Sequence, residues 1–462
     1  MIVASTRPVV AIVGGGFTGA TIAYHLAEMQ IEAEIVVVEP RSALGGGLAY
    51  SSQEPAHRIN VPATRMSLRT EQPLHFSDWL ARTGALSDDA DAVSARGDLF
   101  PRRAIFGRYV QEHLVPHLTT GRIRHLATRA ESVEGHSGAF RIDLADGRRL
   151  QADLVVLAMT HPSPALPAPL VSLAGHSALV ADPYAEGALG AIPPDANVLI
   201  VGMGLTAADV VAGLDRLGHI GGITMLSRHG LRSGRHASTT REAWGDFATQ
   251  PASTAQGLLK TVRLQLVMAR TEGLDWQPVF DVLRTQAPAI WAALSLVERR
   301  RLIRHLRSYW DAHRFRIAPQ VAAVMQRREG QGTLRLVAGR LLAATPDKQG
   351  IEVTYRRRRS NGAVPEQFDA VVNTTGPAHG RVIGDNPAFA SLAAAGLISA
   401  DALGLGLATA SDGRALGANG NPVASLYIAG PLARATFGEL MGLPEVTRYA
   451  EFIAAEVAQA LA

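Results

Sequence analysis

The stretch Val9-Val10-Ala11-Ile12-Val13-Gly14-Gly15-Gly16-Phe17-Thr18-Gly19 decides the fold. Its first five residues are a short unbroken apolar run, the pattern of a strand buried on both faces of a parallel sheet. Gly14-x-Gly16-x-x-Gly19 follows at once, residues 20–29 carry apolar side chains at helical spacing, and Ile35-Val36-Val37-Val38 is a second buried strand that ends on Glu39. Strand, glycine turn, helix, strand and terminal acid make a complete βαβ unit. In such a unit Gly14 allows the tight turn, Gly16 lets the backbone approach a pyrophosphate, and Gly19 lets helix and sheet pack closely. The N–H groups at the helix start, at Phe17 and Thr18, are then free for a diphosphate. Glu39 would accept hydrogen bonds from an adenosine ribose.

A second unit lies further along. Residues 197–201 read as a strand, Gly202-Met203-Gly204-Leu205-Thr206-Ala207 as the turn, 208–217 as the helix and 223–226 as the next strand. Here the strand is followed by Ser227-Arg228 in place of an acid. A carboxylate would repel a 2′-phosphate, whereas Arg228 can pair with it and Ser227 can hydrogen-bond to it. The second unit is therefore expected to hold NADPH. Glu39 in the first is compatible with FAD or NAD, and a terminal unit preceding an inserted one is the order of two-dinucleotide flavoproteins.

Outside these units, residues 152–158 and 368–377 read as strands, each with an acid, Asp153 or Asp369, one step before its apolar run and each with a proline-containing exit. They read as the crossings between two domains, with Pro162, Pro164 and Pro167 stiffening the first. From 233 to 326 the β pattern stops and helices are expected. One covers 295–310, with Leu296, Ile303, Leu306 and Tyr309 on a common side. Residues 333–337 and 351–356 suggest an antiparallel pair, Arg356 to Arg359 a solvated turn, 426–429 a strand, and 444–461 an amphipathic helix. The expected architecture is α/β, with two Rossmann-like dinucleotide-binding domains and a helical insertion. Residues 1–165 and 365–462 form a discontinuous FAD domain, 180–364 the NADPH domain, and 233–326 the insertion facing the substrate.

Composition narrows the function. Of 462 residues, 47% are hydrophobic and 19% charged, the balance of a globular chain and too apolar for disorder. The absence of cysteine excludes disulfide frameworks, thiolate metal sites and the dithiol relays of disulfide reductases. The net charge of +4 is carried by arginine, with lysine only at positions 260 and 348, and no basic arm points to nucleic acid. No run approaches the roughly 18 apolar residues of a membrane span, and no secretory leader is visible, so a cytoplasmic location is expected.

Several segments carry a resemblance. They include Gly47-Leu48-Ala49-Tyr50-Ser51, Ile59-Asn60-Val61-Pro62-Ala63, His75-Phe76-Ser77-Asp78-Trp79-Leu80, Phe100-Pro101-Arg102-Arg103, Asp182-Pro183-Tyr184, Arg314-Phe315-Arg316-Ile317-Ala318-Pro319 and Gly430-Pro431, beside both glycine turns. The chain resembles the bacterial family of FAD/NAD(P)-binding oxidoreductases that includes an FAD-dependent urate hydroxylase. The resemblance implies that Gly14, Gly16, Phe17, Thr18, Gly19, Glu39 and Arg41 hold the ADP half of FAD. It implies further that Asn60, Pro62 and Met66 lie near the ribityl chain and isoalloxazine, and that Gly430 and Pro431 close over the flavin. Gly202, Met203, Gly204, Leu205, Thr206, Ser227 and Arg228 belong to the NADPH site. The sequence departs from the usual Ala-Thr-Gly at Ala158-Met159-Thr160-His161, where Thr160 cannot adopt glycine-only angles cheaply. Gly175-His176, adjacent instead of four apart, argues against the Baeyer–Villiger group.

With no cysteine pair to take electrons onward, reduced flavin must pass them to oxygen, to a substrate or to another protein. The resemblance favours oxygen, giving a flavin hydroperoxide that hydroxylates a small molecule, with urate or a similar heterocycle as leading substrate. The alternatives are an NADPH-dependent reductase serving a partner protein and an FAD-binding protein without turnover. Arg304, His305, Arg307, His313, Arg314 and Arg316 are candidates to bind an anionic substrate, with His305, His313 and Arg314 as the catalytic candidates. His229 and His236 lie near the nicotinamide unit but have no metal-binding spacing, and no metal site is expected.

Overall fold

The computed structural model describes residues 7–462 except 137, 161, 163, 238–240 and 349, and of His379 the backbone only. Among the described residues two large sheets carry the same central arrangement. In the first, Val9–Val13 lies between Glu34–Val38 and Leu154–Leu157, all parallel. Ile123–Leu126 extends it on one side, and Pro422–Ile428 with Arg414–Leu416 on the other. In the second, Val198–Val201 lies between Ile223–Ser227 and Ala370–Asn373, again all parallel. Leu179–Val180 closes one edge, and Leu334–Asp347, Gly350–Arg357 and Ala363–Phe368 extend the other. The continuous apolar runs end up covered on both faces, with Val10, Ala11, Ile12, Val198, Leu199 and Ile200 fully buried.

The two crossing strands use one local device twice. The Asp153 carboxylate accepts the Val9 N–H at 2.7 Å, and the Asp369 carboxylate accepts the Asn197 N–H at 2.6 Å. Each acid thus satisfies the otherwise open start of the strand that leads into its glycine turn. At the other end of that strand Gly14 (φ +103°) and Gly202 (φ +129°) sit against the exits of the crossing strands. A Cβ on Gly14 would lie 2.8 Å from the Ala158 carbonyl, and one on Gly202 would lie 2.6 Å from that of Thr374. Thr160 adopts no positive φ, so the first crossing turns without the left-handed residue that Gly376 (φ +85°) supplies in the second. His161, the last residue of that departure, lies outside the described residues.

Four sequence expectations need correcting. Ala363–Phe368 and Ala370–Asn373 belong to the second sheet, so the chain returns to the first domain after Asn373 and not at 365. The apolar crossing strand is itself the third member of the parallel trio, which a boundary drawn on composition could not see. The expected pairing of 333–337 with 351–356 is replaced by a longer hairpin. Leu334 to Ala338 run parallel to Ile223–Ser227, and the antiparallel partner of Gly350–Arg357 is the far half of that strand, from Gly339 to Asp347. The helical insertion is clipped at its base by parallel pairing of Gly234–Arg235 with Arg316–Ile317. It therefore ends before 326, because Pro319–Gly330 packs against the nucleotide helix Leu205–Arg216, tied by Arg327 to Asp215 at 2.6 Å. Finally, Leu296 and Tyr309 are exposed on the expected apolar face of the long insertion helix.

That helix, Leu296–Arg314, begins at Ser295, whose Oγ accepts the Glu298 N–H. With Ala255–Thr271, Gln277–Thr285 and Ala287–Ala293 it forms a separate small core around Leu258, Val279, Leu283 and Ile290. Arg356 to Arg359 are exposed at a turn, as the sequence suggests.

Candidate functional site

Both nucleotide helices, Phe17–Glu28 and Leu205–Arg216, start at a glycine with no side-chain cap. Their first N–H groups are left for a ligand, the requirement for a diphosphate cradle. Glu39 is 4% exposed and is fixed by the Gly15 N–H at 2.9 Å and by Arg41, whose guanidinium lies 2.9 Å away. These bonds aim the carboxylate across the glycine turn, where a ribose would sit. Gly430 reaches the same helix start: a Cβ there would lie 2.9 Å from Thr18 Oγ1. The residues of the first unit thus fit an ADP moiety. In the second unit Ser227 Oγ accepts the Gly230 N–H at 3.1 Å and so shapes the turn, while Arg228 is exposed and makes no hydrogen bond or ion pair among the described residues.

Asn60, Pro62 and Leu205 come together with the helical insertion around a small cavity of about 70 Å³, walled also by His236, Arg314 and Arg316. Met66 is buried beneath this loop, 2% exposed. Here the two halves meet residues of the insertion. Arg314 is held by Glu439 at 2.7 Å and Arg316 by Asp281 at 2.8 Å. Arg314, a catalytic candidate from sequence, lines this cavity and is engaged by a carboxylate. His305 is exposed and lines neither this cavity nor its larger neighbour, and Arg304 shares its exposure. His313 bonds through Nδ1 to the Tyr309 carbonyl at 2.7 Å and stacks on Phe280, with ring centroids 4.5 Å apart. It lines a second cavity of about 580 Å³ between the insertion and the segment around Leu405 and Arg434–Met441, which shares Phe280 and Phe315 with the first.

His229 is exposed, but His236 is brought into the small cavity. Its Nε2 lies 2.9 Å from the Asn60 carbonyl, which assigns the proton to Nε2 and leaves Nδ1 as an acceptor. Burial pushes its pKa down to about 4. Because the folded value lies below the unfolded one near 6.5, the unfolded chain binds the extra proton between pH 6.5 and 4, and stability falls as pH drops through that window. A His236→Gln variant, with denaturation midpoints recorded from pH 7 to 4, is expected to show a shallower acid loss than the parent. An unchanged slope would remove His236 from the acid response.

The sequence singled out Arg103 and Tyr184 only as motif residues. The structure brings them to Asp209, one turn into the second nucleotide helix: Arg103 Nη2 and Tyr184 Oη both reach its Oδ2 at 2.7 Å. Arg103 Nε also donates to the Arg58 carbonyl, and Arg58 is itself bidentate to buried Asp89. This network joins the domains beside the cleft. Asp209 was legible only as one polar residue in a helix of apolar ones.

A family model described as FAD-NAD(P)-binding matches residues 11–162. No match is found among curated proteins. Among solved structures, the ornithine hydroxylase of Pseudomonas aeruginosa is 19% identical with a TM-score of 0.66, over 99% of this chain and 100% of that one. An ornithine N-hydroxylase from Kutzneria sp. 744, described with reduced FAD, NADP+ and L-ornithine, is 17% identical with a TM-score of 0.64, over 98% and 99%. L-lysine 6-monooxygenase from Pseudomonas syringae is 17% identical with a TM-score of 0.63, over 98% and 99%. The chain has the α/β fold of these two-dinucleotide flavoproteins from end to end. No described helix is long and apolar enough to cross a membrane.

Proposed function

We propose that the chain is an FAD-dependent, NADPH-consuming monooxygenase that hydroxylates a small organic molecule. The observation that carries this reading is the unlike chemistry of two otherwise equivalent turns. One ends on buried Glu39 and the other on exposed, unpaired Arg228. The FAD-NAD(P)-binding match and the fold shared with amino-acid hydroxylases support it. Bound FAD would take hydride from NADPH and give the electrons to oxygen. The chain's part is to seat FAD at Gly14, Gly16, Phe17, Thr18, Gly19, Glu39 and Arg41, with Asn60, Pro62, Gly430 and Pro431 around its redox end. Gly202, Met203, Gly204, Leu205, Thr206, Ser227 and Arg228 would seat NADPH. His236, held neutral, offers Nδ1 as a proton acceptor at the meeting of the two halves.

Urate, the substrate that the resemblance suggests, finds little support in the cavities. It is polar on every edge, and the large cavity is walled chiefly by aliphatic and aromatic side chains. In oxygen-consumption assays, Arg228→Ala is expected to raise the KM for NADPH by roughly tenfold or more and leave that for NADH nearly unchanged. Equal effects on both would remove the 2′-phosphate assignment. NADPH oxidation that required an added protein acceptor and consumed no oxygen would favour the reductase alternative. Bound FAD that NADPH failed to bleach would favour a protein without turnover.

A further inference from the structure

The 580 Å³ cavity lies within the range of about 300–1,000 Å³ typical of small-molecule sites. Its walls are formed by side chains such as Leu266, Ile290, Ile303, Leu306 and Trp310, together with His313. Five charged residues line it, of which Arg263 is exposed and Arg307, Asp311, Arg434 and Glu439 are at least partly buried. Asp311 is held by Arg307 at 3.4 Å, one turn back on the same helix. Glu439 is held by Arg314 at 2.7 Å. Both acids are therefore engaged. Arg434 is not: it is 6% exposed, its Nη1 touches only the Met441 sulfur at 3.0 Å, and its Nε and Nη2 have no hydrogen-bond partner among the described residues.

A guanidinium kept this way is costly, since a buried charge loses its hydration unless an opposite charge or hydrogen-bond acceptor replaces it. Burial and the neighbouring Arg307 bring its pKa down to about 10 against the weaker opposing pull of Asp311, Asp401 and Glu439, none of which hydrogen-bonds to it, so it remains cationic at neutral pH. Nε and Nη2 form one edge of the guanidinium fork, the edge that meets both oxygens of a carboxylate side-on. We propose that this cavity binds an organic monoanion, with its apolar body among the aliphatic and aromatic walls and its carboxylate on Nε and Nη2 of Arg434. Arg434 directly follows the Gly430–Ala433 turn, whose glycine abuts Thr18 at the start of the first nucleotide helix. The anion is thereby tied to the flavin side of the cleft. The assignment rests on the proposed oxygenase reading only in making this anion its substrate; binding itself stands on the cavity and on Arg434.

Isothermal calorimetry on the purified full chain separates the two. Octanoate and 4-phenylbutanoate are the probes, each compared with its alcohol and its amine. At least one carboxylate is expected to bind at least tenfold more tightly than its alcohol, and the amines are expected not to bind. Arg434→Met should weaken carboxylate binding by roughly tenfold to a hundredfold while leaving alcohol binding unchanged. Leu306→Trp, which fills the cavity and leaves Arg434 in place, should weaken both. No binding of either carboxylate below millimolar concentration, or equal binding of acid and alcohol, would overturn the proposal even if NADPH oxidation is normal. Binding without any stimulation of NADPH oxidation would keep the site and remove its link to the redox reaction.

Discussion

Asp209→Ala is expected to lower the stability of the folded chain by about 3–5 kcal/mol, the usual effect of stripping one partner from a buried ion pair. Arg103 loses its counter-ion and Tyr184 loses the nearer acceptor of its hydroxyl proton in one step, keeping only the longer bond to Thr206 at 3.4 Å. Burial on its own depresses the Arg103 guanidinium, but Asp209 and Tyr184 more than reverse this and raise its pKa. Without them the cation is left unpaired between the domains. Urea denaturation followed by tryptophan fluorescence measures the loss. The double variant Arg103→Met/Asp209→Leu should recover much of it, because the uncompensated charge is then gone. A loss under about 1 kcal/mol for Asp209→Ala would show that water already shares the pair.

Gly19→Ala is expected to abolish the flavin site by destroying the turn. Its Cβ would lie 1.9 Å from the Gly14 carbonyl oxygen, a backbone atom that cannot swing aside. Forced overpacking typically costs about 1–3 kcal/mol when side chains can adjust, and here they cannot. The purified variant should be colourless and should melt early. Gly16→Ala provides the contrast. Its Cβ meets nothing nearer than the Gly47 Cα at 3.4 Å, so the fold should survive while the methyl group stands in the way of a pyrophosphate. Visible flavin absorbance and thermal denaturation, recorded together, separate the two effects. A Gly16→Ala protein that kept full flavin would remove the pyrophosphate from this turn.

Both nucleotide units are legible in the sequence because each is local. A buried strand, its glycine turn and the following helix lie within a few dozen residues, and their periodicities are strong. The acids before the crossing strands were visible too, but their partners, Val9 and Asn197, are distant in sequence. The domain boundary was misplaced for the same reason, since residues 370–373 find their neighbours far back along the chain. At the site, arginine-rich composition hid which arginines matter. Arg304 and Arg314 look alike in sequence, yet one is exposed and the other is 8% exposed and held by Glu439. His305 is exposed while His236 lines the small cavity, a difference of burial that spacing does not reveal. Arg434 carried no signal, because an unpartnered guanidinium is defined only by what surrounds it.

The paired latches at Asp153 and Asp369 set an order for the growing chain. The first glycine turn leans on the exit at Ala158, and the second on the exit at Thr374, far beyond its own helix. A ribosome that has released residues 197–217 has therefore not yet supplied the wall against which Gly202 is shaped. The first sheet is also incomplete until Pro422–Ile428 has emerged. Long-range pairings of this kind are slow to form and leave strand edges open while they wait. The nascent chain is thus expected to acquire neither dinucleotide securely until near the end of synthesis.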